Sequence, residues 1–472
     1  MLSNFFWKFF ECTSAQIITF VLSIILARIL SPNDYGTIAI VLVFITIADV
    51  FVNAGFGNAL IQKKDADDLD FSSVFYFSFV FSAFVYIVIY VAAPVIAIFY
   101  SMPILENTLR VLALRIPIAA INSVQQAYVS RNLQFKKFFF STLIGTFSSA
   151  IIGITMAYCG YGIWALVGQC LSNSIINTIV LFSIIEWHPK LIFSFLRLKK
   201  LFDYGWKLLL SGLIDTGYNS LNSLLIGKFY TPSDLAFFDT GKKFPMTIVN
   251  NINSAISSVL FPVLASEQDD LEQVKMHTRR VIQISSYIMW PMMLGMAACA
   301  DNIVRIVLTD KWLPVVPYLQ IACITYGLWP IHTANLQAIN AMGRSDIFLK
   351  LEIIKKVIGI IALMIGLQYG VIAIALSGIV TGIISTFINA YPNGYLLKYR
   401  YWEQIKDVLS SFFCAVVMSV AVYFSSRMVK NIFLELLLQI GIGVIVYILL
   451  SYILRLEPLK YLINNIIYKK KG

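Results

Sequence analysis

The chain has 472 residues, 59% of them hydrophobic and only 13% charged, with a mean hydropathy of +0.79. Soluble domains carry roughly 45–50% apolar and about 25% charged residues, so a water-soluble globule is excluded and the membrane class remains. The net charge of +11 would suggest nucleic acid in a soluble protein; here the basic residues collect in loops and tails, where they report topology, and no nucleic-acid partner is implied.

Apolar stretches of bilayer length, about 17–25 residues, recur from end to end. They predict an all-α polytopic protein with fourteen spans, at 12–30, 35–57, 71–99, 108–129, 138–158, 162–185, 202–228, 234–262, 281–300, 314–341, 347–367, 371–396, 406–426 and 432–454. No small-residue cleavage site follows the first, so it is expected to be retained rather than removed as a signal peptide. With the N-terminus inside, 23 Lys and Arg fall in cytoplasmic segments and 7 in external ones. The positive-inside rule therefore places both termini in the cytoplasm, with Ser31, Pro232 and Trp312 in external turns. The six cysteines show no CxxC spacing and lie mostly in apolar runs, so neither a disulfide framework nor a metal or cofactor site is expected.

The chain repeats itself. Arg28-Ile-Leu-Ser-Pro-Asn-Asp-Tyr-Gly36 matches Lys228-Phe-Tyr-Thr-Pro-Ser-Asp-Leu-Ala236 in chemistry, 200 residues on, and Tyr161-Gly-Ile-Trp-Ala-Leu166 recurs 208 residues on as Tyr369-Gly-Val-Ile-Ala-Ile374. The predicted organisation is an N-terminal lobe at 1–200, a C-terminal lobe at 201–400, and two extra spans with a basic tail at 401–472. Parallel repeats of this kind flank a midplane substrate site in transporters.

Polar residues cross the apolar spans in stripes. In the seventh, Lys207, Ser211, Asp215, Tyr218 or Asn219, and Asn222 share one helical face; in the eighth, Lys243, Thr247, Asn250, Ser254 and Ser257 do the same. Thr46, Asp49, Asn53 and Gly57 form a third stripe, and Arg115, Asn122 and Gln126 a fourth. A charge in mid-membrane costs about 2.5–3.5 kcal/mol on insertion scales, so each needs a pocket, a partner or a function. The substrate-contacting candidates are Arg115, Lys207, Lys242, Lys243, Tyr218, Asn219, Asn222, Asn250 and Asn53. The deep carboxylates Asp49 and Asp215 are the ion-coupling candidates. The structural alternatives are i,i+4 ion pairs Asp239–Lys243 and Glu352–Lys356, and a Lys207 that snorkels to the interface. Six basic against four acidic residues make the interior cationic. No P-loop is present, and the two Asp-Thr-Gly triplets, at Asp215 and Asp239, fall in helical membrane context rather than in the loops of an aspartic protease.

The segments Leu224-Leu-Ile-Gly-Lys-Phe-Tyr-Thr-Pro-Ser-Asp-Leu-Ala-Phe-Phe-Asp-Thr-Gly-Lys-Lys-Phe-Pro245, Ile256-Ser-Ser-Val-Leu-Phe-Pro-Val-Leu264 and Asp310-Lys-Trp-Leu-Pro-Val-Val-Pro317 resemble Wzx-type polysaccharide flippases, in particular the colanic-acid and teichuronic-acid exporter branch. Arg28 to Gly36 and Asn53 to Gln62 are similar to that branch's N-terminal signatures. The resemblance implies the MOP superfamily fold, two six-helix lobes in a V plus two further helices around a cationic cavity. It also implies translocation of undecaprenyl-pyrophosphate-linked oligosaccharides across the bacterial inner membrane, with membrane lipids, a polysaccharide polymerase and glycosyltransferases as partners. Basic side chains would meet the phosphates, and Asn, Ser, Thr and Tyr the sugar hydroxyls. Two alternatives stand beside it. A multidrug exporter of the same superfamily would favour an acidic cavity, and a polymerase or ligase would need a larger external loop than residues 301–313 supply.

Overall fold

A chain in lipid must satisfy its backbone polar groups internally, which in a single chain means helices or a closed barrel. The computed structural model describes residues 2–53, 56–425, 429 and 431–468, and among them it contains helices and no strand. The helices are α1 (Leu2–Ile29), α2 (Pro32–Asn53), α3 (Phe56–Gln62), α4 (Asp68–Tyr100), α5 (Ile104–Leu112), α6 (Arg115–Arg131), α7 (Phe135–Tyr158), α8 (Ile163–Ile184), α9 (Phe195–Phe229), α10 (Pro232–Ser266), α11 (Leu271–Ala298), α12 (Ala300–Val307), α13 (Val315–Gly327), α14 (Trp329–Ala341), α15 (Ser345–Gly366), α16 (Val371–Leu396), α17 (Tyr401–Phe424), α18 (Ile432–Ile453) and α19 (Glu457–Tyr468). Among the described residues nine helices are long and apolar enough to cross a membrane by length and composition. On α4, Val80, Phe84, Ile87, Val91, Val95 and Ile98 are all exposed at steps of three and four, an apolar face suited to lipid.

Over the described residues the predicted segments fall on helices or on helices in series, with an instructive break inside one segment of each half. The predicted fourth span is α5 followed by α6, broken at Ala113 and Leu114, and the predicted tenth is α13 followed by α14, broken at Leu328. Pro117 and Pro330 sit in the first turn after each break. Proline lacks the N–H that would bond back across it and is tolerated in a helix's first turn. Arg115 is therefore the first residue of a new helix, not an interior residue of one continuous helix over 108–129. Arg427, Lys430 and Lys469 to Lys471, counted in the charge tally, lie outside the described residues, as does the side chain of Asn53.

The repeats recur as local structure. Before α2, Ser31 Oγ donates to Asp34 Oδ2 at 2.6 Å and the Asp34 amide donates to Ser31 Oγ at 3.2 Å; before α10, Thr231 and Asp234 make the same two contacts at 2.6 and 3.2 Å. These are reciprocal N-terminal caps, which satisfy amides that helix geometry leaves unpaired. In the second repeat, Gly162 and Gly370 hold φ of +53° and +110°, which glycine adopts without steric cost. The two capped turns also touch. A Cβ on Gly36 would lie 1.7 Å from the carbonyl oxygen of Pro232, so only glycine fits there.

Packing divides the chain into two units, Met1–Ala236 and Phe237–Gly472. The sequence repeat turns over near residue 200, whereas α9 packs on α2, α3 and α4 of the first unit, so the packing boundary falls later than the repeat boundary. Within the first unit a polar clamp ties the start of α4 to the end of α3 and to the first turn of α9. Fully buried Asp70 takes Lys63 Nζ at 2.6 Å and Arg197 Nη1 at 3.4 Å, and Arg197 also reaches Asp67 at 2.6 Å. In the second unit Asp407 of α17 receives Arg279 of α11 at 2.6 Å and the Tyr399 hydroxyl at 2.7 Å. Replacing Asp70 by alanine is expected to lower stability by about 2 kcal/mol, the worth of hydrogen bonds to a charged group, seen as a lower thermal midpoint of the protein in nanodiscs. Trp312 departs from its expected external exposure. It is fully buried, with Phe237 at 6.0 Å between ring centroids, because the large apolar side chain packs inward while the adjacent Lys311 is exposed.

Candidate functional site

The first unit holds a half-open polar cavity of about 430 Å³ between α2, α3, α6 and α8, within the roughly 300–1,000 Å³ of small-molecule sites. One face of α6 lines it, with Arg115, Ala119, Asn122, Ser123, Gln126, Ala127 and Ser130 at helical spacing. That lining extends fifteen residues, about 22 Å along the helix axis. Asp49 faces it from α2, and Asn173, Ser174, Asn177 and Thr178 from α8. Arg115 Nη2 stands 3.5 Å from Asp49 Oδ2, while Asp49 Oδ1 is buried without a hydrogen-bond partner among the described residues. The break before α6 is what sets the guanidinium at this level.

The amides on α8 are fixed from behind by α7. Gly145 lets the two helices close up, since a Cβ there would meet Asn177 Cβ at 3.0 Å and its backbone nitrogen at 3.2 Å, and close approach through small residues is how membrane helices pack. Ser141 Oγ then donates to Asn177 Oδ1 at 2.7 Å. Asn122 Nδ2 donates to Thr178 Oγ1 at 3.1 Å and reaches Asn177 Oδ1 at 3.3 Å; Gln126 Nε2 donates to Asn122 Oδ1 at 3.0 Å, and Asn173 Nδ2 to Ser149 Oγ at 3.2 Å. The second unit has a related network between the corresponding helices. Asn393 Nδ2 of α16 donates to Asn335 Oδ1 of α14 at 2.6 Å, and Asn389 Nδ2 lies 3.1 Å from His332 Nδ1.

Of the residues singled out by sequence, Asp49 and Arg115 are brought together. Asp215 and Asn219 are both exposed on α9, where Asn219 Nδ2 donates to Asp215 Oδ2 at 3.1 Å; Lys207 on the same helix is exposed, and Tyr218 and Asn222 are half-buried. In the second unit Lys243 and Asn250 are exposed on α10, with Asn251 and Ser254 beside them. Lys242 is half-buried, its Nζ 4.1 Å from the Phe238 ring centroid. Glu352 receives Lys355, three residues on, at 2.5 Å, a spacing that, like the i,i+4 one, brings side chains to one helical face. The Asp-Thr-Gly triplets at Asp215 and Asp239 both lie within helices. The α8 asparagines were not among the candidates, although Asn173 and Asn177, four apart within an apolar run, are the same kind of signal as the stripes that were.

Helices of bilayer length around a polar site define an all-α polytopic membrane protein. Its fold matches that of the lipid II flippase MurJ in an inward closed conformation, with a TM-score of 0.76 and 18% identity over 96% of this chain and 99% of that one. The sequence model for polysaccharide biosynthesis proteins matches residues 25–317, and the chain belongs to that family. It is 25% identical over 305 residues to the teichuronic acid biosynthesis protein TuaB of Bacillus subtilis, a match covering 64% of this chain and 62% of TuaB, just under two thirds of that relative's length. It is 24% identical over 360 residues to the lipopolysaccharide biosynthesis protein WzxC of Escherichia coli, covering 75% and 72% of the two chains.

Proposed function

We propose that the chain is a transporter and not an enzyme, a flippase that carries an undecaprenyl-pyrophosphate-linked oligosaccharide from the cytoplasmic to the periplasmic leaflet of the bacterial inner membrane. The observation that carries this proposal is the cavity itself. Spanning helices have no structural need for an ion pair and four side-chain amides around one cavity, whereas a saccharide crossing an apolar layer needs polar groups to replace its water. Family membership and the names of TuaB, WzxC and MurJ agree with it. The exposed Lys243, Asn250, Asn251 and Ser254 of α10 are the groups we assign to the pyrophosphate, with Lys207 as a further cation, and the two repeat-related lobes would alternate access. Asp49 and Asp215 are the groups we assign to ion coupling. Polymerase and glycosyltransferases would act before and after transport. Depleting the protein should make the lipid-linked oligosaccharide accumulate in the inner leaflet while surface polysaccharide falls; unchanged levels of both would refute the assignment.

We assign both termini to the cytoplasm, a reading that the distribution of Lys and Arg supports. Single cysteines at Ser31, Thr231 and Lys311, all exposed, should react with an impermeant thiol reagent from outside, and those at Lys64 and Lys199 only after the membrane is opened. Labelling of Ser31 and Lys199 from the same side would overturn this orientation.

A further inference from the structure

Which part of such a substrate the cavity of the first unit suits follows from the hydrogen-bonding groups it leaves open. Asn177 Oδ1 already accepts from Ser141 and Asn122. Asn173 spends its amide protons on Ser149 and Thr146 and Gln126 one of its two on Asn122, so Gln126 Oε1 and Asn173 Oδ1 remain as acceptors and one Gln126 N–H as a donor. Ser123 donates its proton to the Ala120 carbonyl at 2.9 Å, leaving lone pairs, and Asp49 Oδ1 is a further unmet acceptor. The one full positive charge, Arg115, faces the one full negative charge, Asp49. The cavity is thus close to electrically neutral, and it offers both acceptors and donors, the latter from Arg115, Asn177 Nδ2, Gln126 and the Ser130 hydroxyl.

Those properties select among the chemistries of a lipid-linked oligosaccharide. Phosphate oxygens accept and do not donate at neutral pH, so a pyrophosphate would leave the open acceptors unmet and would find no unmatched cation to hold its charge, since Arg115 faces Asp49. An organic cation as cargo would suit the oxygens but would face Arg115. A pyranose ring carries several hydroxyls, each a donor that also accepts from Asn177 Nδ2, and it is uncharged. We propose that this cavity is a subsite for an uncharged sugar ring of the transported glycan, with Asn173, Asn177 and Gln126 as the residues that determine which sugar is accepted. This inference rests on the transport reading and divides recognition into a sugar subsite inside the first unit and a separate site for the pyrophosphate.

The test uses the full-length protein in nanodiscs with Ser130, which lines the cavity, changed to cysteine and the exposed Cys159 changed to serine. The rate of modification of the new thiol by a small methanethiosulfonate is measured with D-glucose, D-galactose or N-acetyl-D-glucosamine at about 10 mM, enough to fill a site of millimolar Kd. At least one sugar should slow the reaction threefold or more, and inorganic pyrophosphate and tetraphenylphosphonium should not. Gln126→Leu, which leaves the Asn177–Ser141 contact intact, should remove the protection and reduce flipping of the lipid-linked oligosaccharide in proteoliposomes at least tenfold. Protection by pyrophosphate or the organic cation instead, or protection by none of the sugars, would overturn the subsite. If the unmodified protein flips the lipid-linked oligosaccharide and Gln126→Leu does so equally well, the subsite is wrong and the transport reading stands. If the unmodified protein flips nothing while a sugar still protects, the transport reading is the one that fails.

Discussion

Gly36→Val is expected to yield no monodisperse folded protein, and Gly36→Ala a protein with a markedly lower thermal midpoint. A Cβ at this position would lie 1.7 Å from the Pro232 carbonyl oxygen. The obstacle is backbone at the capped start of a helix, so no rotamer change relieves it and the start of α2 must move away. Overpacking of a close-packed site costs about 1–3 kcal/mol, more where neighbours cannot yield, and here about 3 kcal/mol is the lower bound we expect for alanine. Gly441→Ala is the control. Nothing lies within 4 Å of its Cβ, and alanine in a helix interior is favoured over glycine by about 1 kcal/mol, so the midpoint should hold or rise. Normal folding of Gly36→Val would show that the two capped turns do not meet as described.

The second large effect concerns the ion pair of the cavity. Removing one member of a buried pair leaves the other without its counter-charge and costs about 3–5 kcal/mol. Arg115 and Asp49 are 34% and 18% exposed, which lets water share the load, so either Arg115→Gln or Asp49→Asn is expected to cost about 2 kcal/mol. The double change should recover most of that loss, a coupling of about 1–2 kcal/mol in a double-mutant cycle. Transport should fall at least tenfold in both single variants, because the unmatched charge that remains also spoils the cavity's neutrality. Strict additivity of the two stability losses would mean that the charges do not act as a pair.

Much of this arrangement is legible in the sequence, for identifiable reasons. Bilayer-length apolar runs report helices directly, and the Ser31–Asp34 and Thr231–Asp234 turns carry their capping chemistry in their residue types. The stripe of Arg115, Asn122 and Gln126 is a one-helix pattern, and all three residues do face the cavity. What the sequence hides are relations between helices. The breaks before Arg115 and Trp329 occur within runs apolar enough to be read as continuous, and only Pro117 and Pro330 mark them. The pairing of Asn122 with α8, and the role of Gly145 in holding Asn177, depend on which helix neighbours which, and no periodicity along one helix contains that. Trp312 illustrates the same point at a turn: a short loop can still bury its largest side chain.

The most direct test of the account is flipping by the purified protein. Lipid-linked oligosaccharide from the source cells would be incorporated into both leaflets of proteoliposomes, and the fraction open to an impermeant sugar-modifying reagent followed with time. The account predicts that this fraction rises from the outer-leaflet share to nearly all of the substrate, at a rate proportional to the amount of protein and lowered at least tenfold by Arg115→Gln. A folded, monodisperse protein that leaves the fraction at the outer-leaflet share would contradict it.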